Sequence, residues 1–380
     1  MRFRKCNILF FSALIFILGS CASIGPKHID LDRANYNDII WQTDLEQLLK
    51  NIVRLRYIET SSYFQVTNVT ASSSLVQSVS GQLVGPPSSL SYYPQWSAGP
   101  QMVYTDSPTI SYAPIGNAAF VASLEKPVNF NYFILLTHGA RYGFDDLAKV
   151  MLSRIGPLAN SPSATSLSVY ELPDYKPFYR FVDLVEKMLT TRAIIPKPIY
   201  FNETLGIMLR FQQKNSANAL LLKKMVGVPA NSENIIIMPE GEAVIVQEKN
   251  GQLVVPPIPN KLSNVVYAQT RSINAMLTFL SHAVHVPHPD IKAHMTLEGH
   301  YPDNTVFNWN PLMKGVLTIH CANFEPMENV MIKTYVNHHW FYIKASDVDS
   351  KMTLYLVIKL IEIVSVLPPQ YQGPSLTLPG

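Results

Sequence analysis

The spacing of apolar positions divides this chain into helical and extended stretches. In "YNDIIWQTDLEQLLKNIVRLRYIE" (residues 36–59), Leu45, Leu48, Leu49 and Ile52 recur at i, i+3, i+4 and i+7, the mark of an amphipathic helix. At about 100° per residue, Arg54 points away from that stripe and Arg56 falls near its middle. Either the helix frays before residue 56 or it aims a guanidinium at the core. A buried charge needs a partner, which makes Arg56 a candidate structural arginine.

Further helical runs are predicted over 117–124, 130–139, 145–155 and 177–189. In "RSINAMLTFLSHAV", Ser272 is placed to cap a helix with Ile273, Met276, Leu277 and Leu280 on one face. The stretch "SDVDSKMTLYLVIKLIEIVSVL" supplies Asp347 or Asp349 as a cap. Lys351, Tyr355, Lys359 and Glu362 then form one narrow polar stripe. Residues 352–367 contain a Lys and a Glu and fall short of the ~20 apolar residues of a membrane span, so a core helix with one wet edge is expected.

Extended segments are expected at 167–171 and 205–211, with a loop at 161–166 between the helical and extended stretches. "ENIIIMP" and "EAVIVQ" form a hairpin candidate across Glu240-Gly241. "VMIKTYVNHHWFYIK" reads as two strands meeting at Asn337-His338, since Asn tolerates φ > 0. Pro256, Pro257 and Pro259 mark a linker. The fold class is therefore α+β: short antiparallel sheets with packed helices, in two subdomains (36–256 and 260–380) meeting near residues 256–260.

One zone departs from the rest. From Thr60 to Thr105 there is no Asp, Glu, Lys or Arg, although 15% of the chain is charged. Val69, Ala71, Leu75, Val79 and Leu83 alternate there with Asn68, Thr70, Ser72, Ser74, Ser78, Ser80 and Gln82. After a Pro/Ser/Gly-rich bend bearing Tyr92, Tyr93 and Trp96, Met102, Tyr104, Ile110 and Tyr112 alternate with Val103, Thr105, Thr109 and Ser111. A β-hairpin over 60–113, charge-free as far as Thr105, follows. Its apolar positions, Tyr104 and Tyr112 included, face a membrane in a shared barrel or a partner protein; a polar loop without either role is the third reading.

The front of the chain changes the picture. Arg2, Arg4 and Lys5 precede an apolar run from Ile8 to Leu18, the order of a secretory signal. The run ends Leu18-Gly19-Ser20-Cys21, a lipobox-like close. The expectation is a signal peptide over 1–20, acylation of Cys21, an anchor linker over 21–35, and a lipid-held body that is periplasmic. Stable anchoring needs more than one acyl chain, which lipoprotein modification supplies. Cys6 leaves with the signal, so Cys321 remains without an internal disulfide partner. Removing Arg2, Arg4 and Lys5 takes Lys+Arg from 30 to 27, equal to the 27 Asp+Glu. Nothing in a formally neutral mature chain suggests the basic stripe that nucleic-acid binding needs, and no such partner is expected.

These stretches together resemble a family of roughly 400-residue proteobacterial outer-membrane lipoproteins. The resemblance rests on the lipobox, "YNDII" with "EQLLKNIVRLRY", "SPTISYAPIG", "RSINAMLTFL", "HHWFYI" with "DSKMTL", and the terminal "GPSLTLP", in that order along the chain. Relatives tend to carry Gly where this chain has Asn337-His338, which leaves the turn type open. The resemblance implies an outer-membrane address and supplies no activity.

Chemistry is sparse. His282, His285, His288, His294 and His300 lie in "SHAVHVPHPDIKAHMTLEGH" with Asp290 and Glu298, side chains that suit zinc or a related metal. No H-E-x-x-H or Cys/His frame is present, and Pro287 and Pro289 break any helix that would align His285 with His288. A solvated His-rich loop is expected, with His282, His285 and His288 as the metal candidates. His320 and Cys321 are adjacent strand residues on opposite faces and make no nucleophile–base pair. No catalytic residue and no cofactor are expected.

The functional expectation is a lipid-anchored outer-membrane structural or assembly component, an oligomeric pore or a secretion or export accessory. Its partners are the membrane itself and further copies or an envelope complex. A periplasmic ligand-binding lipoprotein and a metal-dependent hydrolase using the 282–300 loop are the alternatives.

Overall fold

The computed structural model describes residues 24–70, 73–84, 95–106, 109–114, 118–138, 142–161, 174–201, 204–240, 247–249, 252–254, 263–296 and 305–364. Helix α1 (Ile24–Arg56) starts well before residue 36, so the linker expected over 21–35 is helical from Ile24. Within the segment read as helical from the sequence, residues 41–44 are exposed. The periodic stretch is buried: Leu45, Leu48, Leu49, Ile52 and Val53 are core residues. The helix reaches Arg56, which is only 7% exposed.

The chain folds as two compact units, residues 62–116 and the remainder on either side of them. In the first, β1 (Phe64–Thr70), β2 (Ser73–Val84), β3 (Gln95–Asp106) and β4 (Thr109–Pro114) form two antiparallel ladders, β1 with β4 and β2 with β3. This is the nested pairing of one long hairpin.

The second unit continues with α2 (Ala118–Glu125), α3 (Phe130–His138) and α4 (Phe144–Met151). Glu186 accepts the Phe144 N–H at 2.8 Å, a carboxylate at the start of α4. The predicted helix over 145–155 ends at Met151, and β5 (Leu152–Ile155) leaves it directly as a strand, followed by β6 (Leu158–Ala159). Helix α5 (Lys176–Thr190) buries Phe178, Phe181, Val182, Val185 and Met188 on one face. Then come β7 (Ile194–Phe201), β8 (Thr204–Phe211), α6 (Ala217–Met225), β9 (Asn234–Pro239), the short pair β10 (Gln247–Lys249) and β11 (Gln252–Val254), and β12 (Val265–Thr270).

Six of these strands form one sheet in the order β6-β5-β12-β9-β8-β7. Three sequence expectations are corrected by it. The sheet is larger than the short ones expected and is mixed, since β12 runs parallel to β9. The "IIIMP" run has both of its neighbours taken, β8 and β12, so it is not one half of a two-stranded hairpin: Ile235 and Ile237 are fully buried, as in a central strand, and residues 241–246 lie outside the described residues. The chain also does not divide at 256–260, because β12 beyond those prolines sits between β9 and β5 before them. Pro196 and Pro198 fall on edge strand β7, where a missing N–H breaks no inner ladder.

Helix α7 (Ile273–Ser281) begins as predicted, with Ser272 Oγ accepting the Ala275 N–H, and Ile273, Met276, Leu277 and Leu280 fully buried. Short helices α8 (His288–Lys292) and α9 (Asn310–Met313) lead to a second, three-stranded sheet. Its order is β13 (His320–Ala322), β15 (His339–Lys344), β14 (Val330–Val336), and α1 packs against β14 and α7. Asn337 and His338 link its hairpin, both at positive φ, as a type I′ turn requires. Asp347 caps α10 (Val348–Val364), its Oδ1 accepting the Ser350 N–H at 3.1 Å. Among the described residues no helix is long and apolar enough to cross a membrane. Helices packed on a mixed and an antiparallel sheet make the fold α+β.

Candidate functional site

The register of the 62–116 unit sorts its residues by chemistry. Leu75 stands opposite Tyr104, Val79 opposite Pro100, and Leu83 opposite Trp96. At the alternate positions Ser74 meets Thr105, Ser78 meets Gln101, Ser80 meets Gly99, and Gln82 meets Ser97. Directly opposed residues in a ladder share a face, so apolar and polar positions segregate across both strands. The exceptions are Val76 opposite Val103 and Val84 opposite Gln95 on the polar side, and Gln77 opposite Met102 and the end pair Ser73–Asp106 on the apolar side.

The second ladder keeps the pattern through an irregularity. Val69 pairs with Ile110, while Asn68 and Thr70 pair with Ser111 and Thr109. A register shift between Val66 and Asn68 then brings Val66 opposite Tyr112 and Phe64 opposite Pro114. Without that shift the alternation would put polar residues opposite Tyr112 and Pro114. Ala71 and Ser72 lie outside the described residues.

A polar cluster occupies the core of the larger unit. Arg56 donates from Nη1 to His282 Nδ1 at 3.2 Å, and the His282 ring stacks on Trp309 with centroids 3.6 Å apart and planes 4° from parallel. A guanidinium has no acceptor, so Nδ1 is the unprotonated nitrogen and His282 carries its proton on Nε2. Burial, then the Arg56 charge, pushes the imidazole down to about 3. His282 is a neutral core residue.

Beside it, Tyr57 donates to Asp290 Oδ2 at 2.7 Å, and His339 Nε2 lies 3.7 Å from the same oxygen. Burial and the bond to Asp290 hold the Tyr57 phenol far above its ordinary range. Burial, then Asp290, pushes the Cys321 thiol up to about 11, the reverse of what a nucleophile needs. Cys321 pairs with Phe341 and His320 with Tyr342 in the ladder, so His320 and Cys321 do face opposite ways.

The structure separates the histidines that the sequence places together. His282 closes α7 and points into the core; His285 and His288 are exposed, the latter opening α8 with Pro289 in its first turn. The segment is a helix end and a second short helix, not a simple loop. His285 instead meets His320, 35 residues on in sequence and unremarked by any motif; their ring centroids are 5.5 Å apart. His300 and Glu298 lie outside the described residues, among which no cluster of three or more His, Cys, Asp or Glu could hold a metal ion.

A second buried guanidinium escapes pattern reading. Arg271, just before the Ser272 cap, donates to the carbonyls of Lys149 and Val150 at 2.8 and 3.1 Å and of Ser161 at 2.7 Å. It thereby satisfies the last carbonyls of α4 and stacks over Phe279 at 4.3 Å. Burial lowers its pKa to about 10, still a cation at neutral pH. The role is structural. Its only sequence signal is an arginine beside an N-cap in an apolar stretch.

Cys21 lies outside the described residues. No protein-family model, curated relative or solved structure matches the chain.

Proposed function

We propose that this chain is a lipid-anchored, non-catalytic component of the bacterial outer membrane, and that residues 62–116 contribute a β-hairpin to a barrel shared among copies, in a pore or export assembly. The observation that carries the reading is the paired ladder from Ser73 to Val84 and from Gln95 to Asp106, where Leu75, Val79 and Leu83 stand opposite Tyr104, Pro100 and Trp96 and the only charged residue, Asp106, lies at the end of the ladder. Each strand has 12 residues, enough for the ~9–11 that a tilted membrane strand requires.

The chemistry of the polar positions favours this over an ordinary soluble hairpin. Exposed edges are normally blunted with Lys or Glu, whereas these positions carry Ser, Thr and Gln. Alternating apolar-out and uncharged polar-in residues suit a strand with lipid on one side and a wet lumen on the other. A lone hairpin has an unpaired edge on each strand, and every unsatisfied backbone group in hydrocarbon costs several kcal/mol. Closure by hairpins from neighbouring copies removes those edges, so the membrane form is an oligomer.

The test is native mass measurement of the detergent-extracted protein, with protease protection of the hairpin in intact outer membranes. A closed oligomer with a protected hairpin is expected. A monomer whose hairpin is cut as readily as a surface loop would sink the proposal.

A further inference from the structure

We infer that His285 and His320 form a surface chelate for a borderline transition-metal dication of the Zn²⁺ class. The inference stands apart from the membrane hairpin and rests on the backbone first. Val284 and Ile319 form a parallel bridge, fixed by bonds from His285 N–H to Ile319 O at 2.9 Å and from Ile319 N–H to Ala283 O at 3.1 Å. The next residue on each segment is a histidine, so two imidazoles leave neighbouring extended backbones side by side. Their rings stand at 89° with centroids 5.5 Å apart.

Three features suit a metal. Imidazole is a preferred ligand for zinc, nickel and copper, and it binds as the neutral base. The pair is reachable, since His285 is exposed and His320 half-buried. Tyr342, opposite His320 in the ladder, packs its ring 5.3 Å from the imidazole and limits its rotation.

The ion sits about 2.0–2.1 Å from one nitrogen of each ring, with water completing a tetrahedral shell. Two protein ligands with open positions make an exchangeable site. This re-partners the metal reading of the sequence: His285 ligates with a strand residue from the second sheet, while His282 and His288 take no part.

Zn²⁺ titration of the full-length lipidated protein in detergent, followed by isothermal calorimetry, tests it. One ion per chain is expected in excess Mg²⁺. Loss of an outer-shell partner alone weakens metal sites by about 10–100-fold, so His285→Ala and His320→Ala should each weaken binding by at least about tenfold. His288→Ala and His294→Ala should leave it unchanged. His285 is exposed, so its variant separates ligation from folding. Binding that survives His285→Ala, or that falls equally with His288→Ala, overturns the assignment.

Discussion

Arg56 and His282, 226 residues apart, meet in the core with 3.2 Å between Nη1 and Nδ1. That bond joins the end of α1 to the end of α7 and sets the protonation of the imidazole. The charge on Arg56 and the neutrality of His282 are two sides of one arrangement.

Arg56→Met is therefore expected to cost at least about 1.5–3 kcal/mol, the range for a hydrogen bond to a charged group. Arg54→Met, whose side chain is 29% exposed and 3.6 Å from Glu59, should cost less than about 1 kcal/mol. Denaturant unfolding of the two variants makes the comparison. Equal small losses would show that the buried guanidinium holds nothing together.

His282 predicts an acid sensitivity. Below pH ~6.5 the unfolded imidazole takes up a proton, while the folded one stays neutral until about 3. The unfolded state binds more protons across that window, so stability falls as pH falls, by up to about 1.4 kcal/mol per unit. His282→Gln should flatten the stability profile between those limits. A variant profile parallel to the wild type's would assign the acid loss to other groups.

Cys21→Ala is expected to abolish acylation and move the protein out of the outer-membrane fraction, since lipid is the proposed anchor. Labelling cells with an alkyne fatty acid reads both at once. Persistent label and unchanged fractionation would rule out the lipoprotein reading.

The ladder separates two sets of charge substitutions. Leu75→Lys and Val79→Lys put ammonium groups at apolar positions, where a mid-membrane Lys costs about 2–4 kcal/mol. Ser78→Lys and Ser80→Lys put them at polar positions opposite Gln101 and Gly99. Oligomer size and protease protection should be lost in the first pair and kept in the second. If both pairs assemble alike, the two faces do not differ in their surroundings.

Local chemistry was legible in the sequence wherever it was periodic or capped. The α7 face and its Ser272 cap, the Asn337-His338 turn and the charge-free alternation all depend on neighbours a few residues away. Long-range pairing was not. The prolines at 256, 257 and 259 resemble a domain boundary, yet whether β12 joins β9 depends on side chains distant in sequence, and a parallel pair has no turn to announce it. The role of Arg271 carries no periodic signal, because the α4 carbonyls it holds lie far away in sequence. The His285–His320 neighbourhood likewise exists only through the Val284–Ile319 bridge.

The turn between β14 and β15 holds Asn337 at φ 46 and His338 at φ 67. Glycine enters this region without steric cost, and two glycines would bend the chain as well. Asn337, however, also donates from Nδ2 to Glu59 Oε1 at 3.2 Å, just beyond the end of α1. Shape and attachment are thus separable here: the backbone makes the bend, and the amide ties the hairpin tip to the helix it packs against. Replacing Asn337 with glycine would keep the first and give up the second, leaving a correctly bent tip with one fewer tie to the helix.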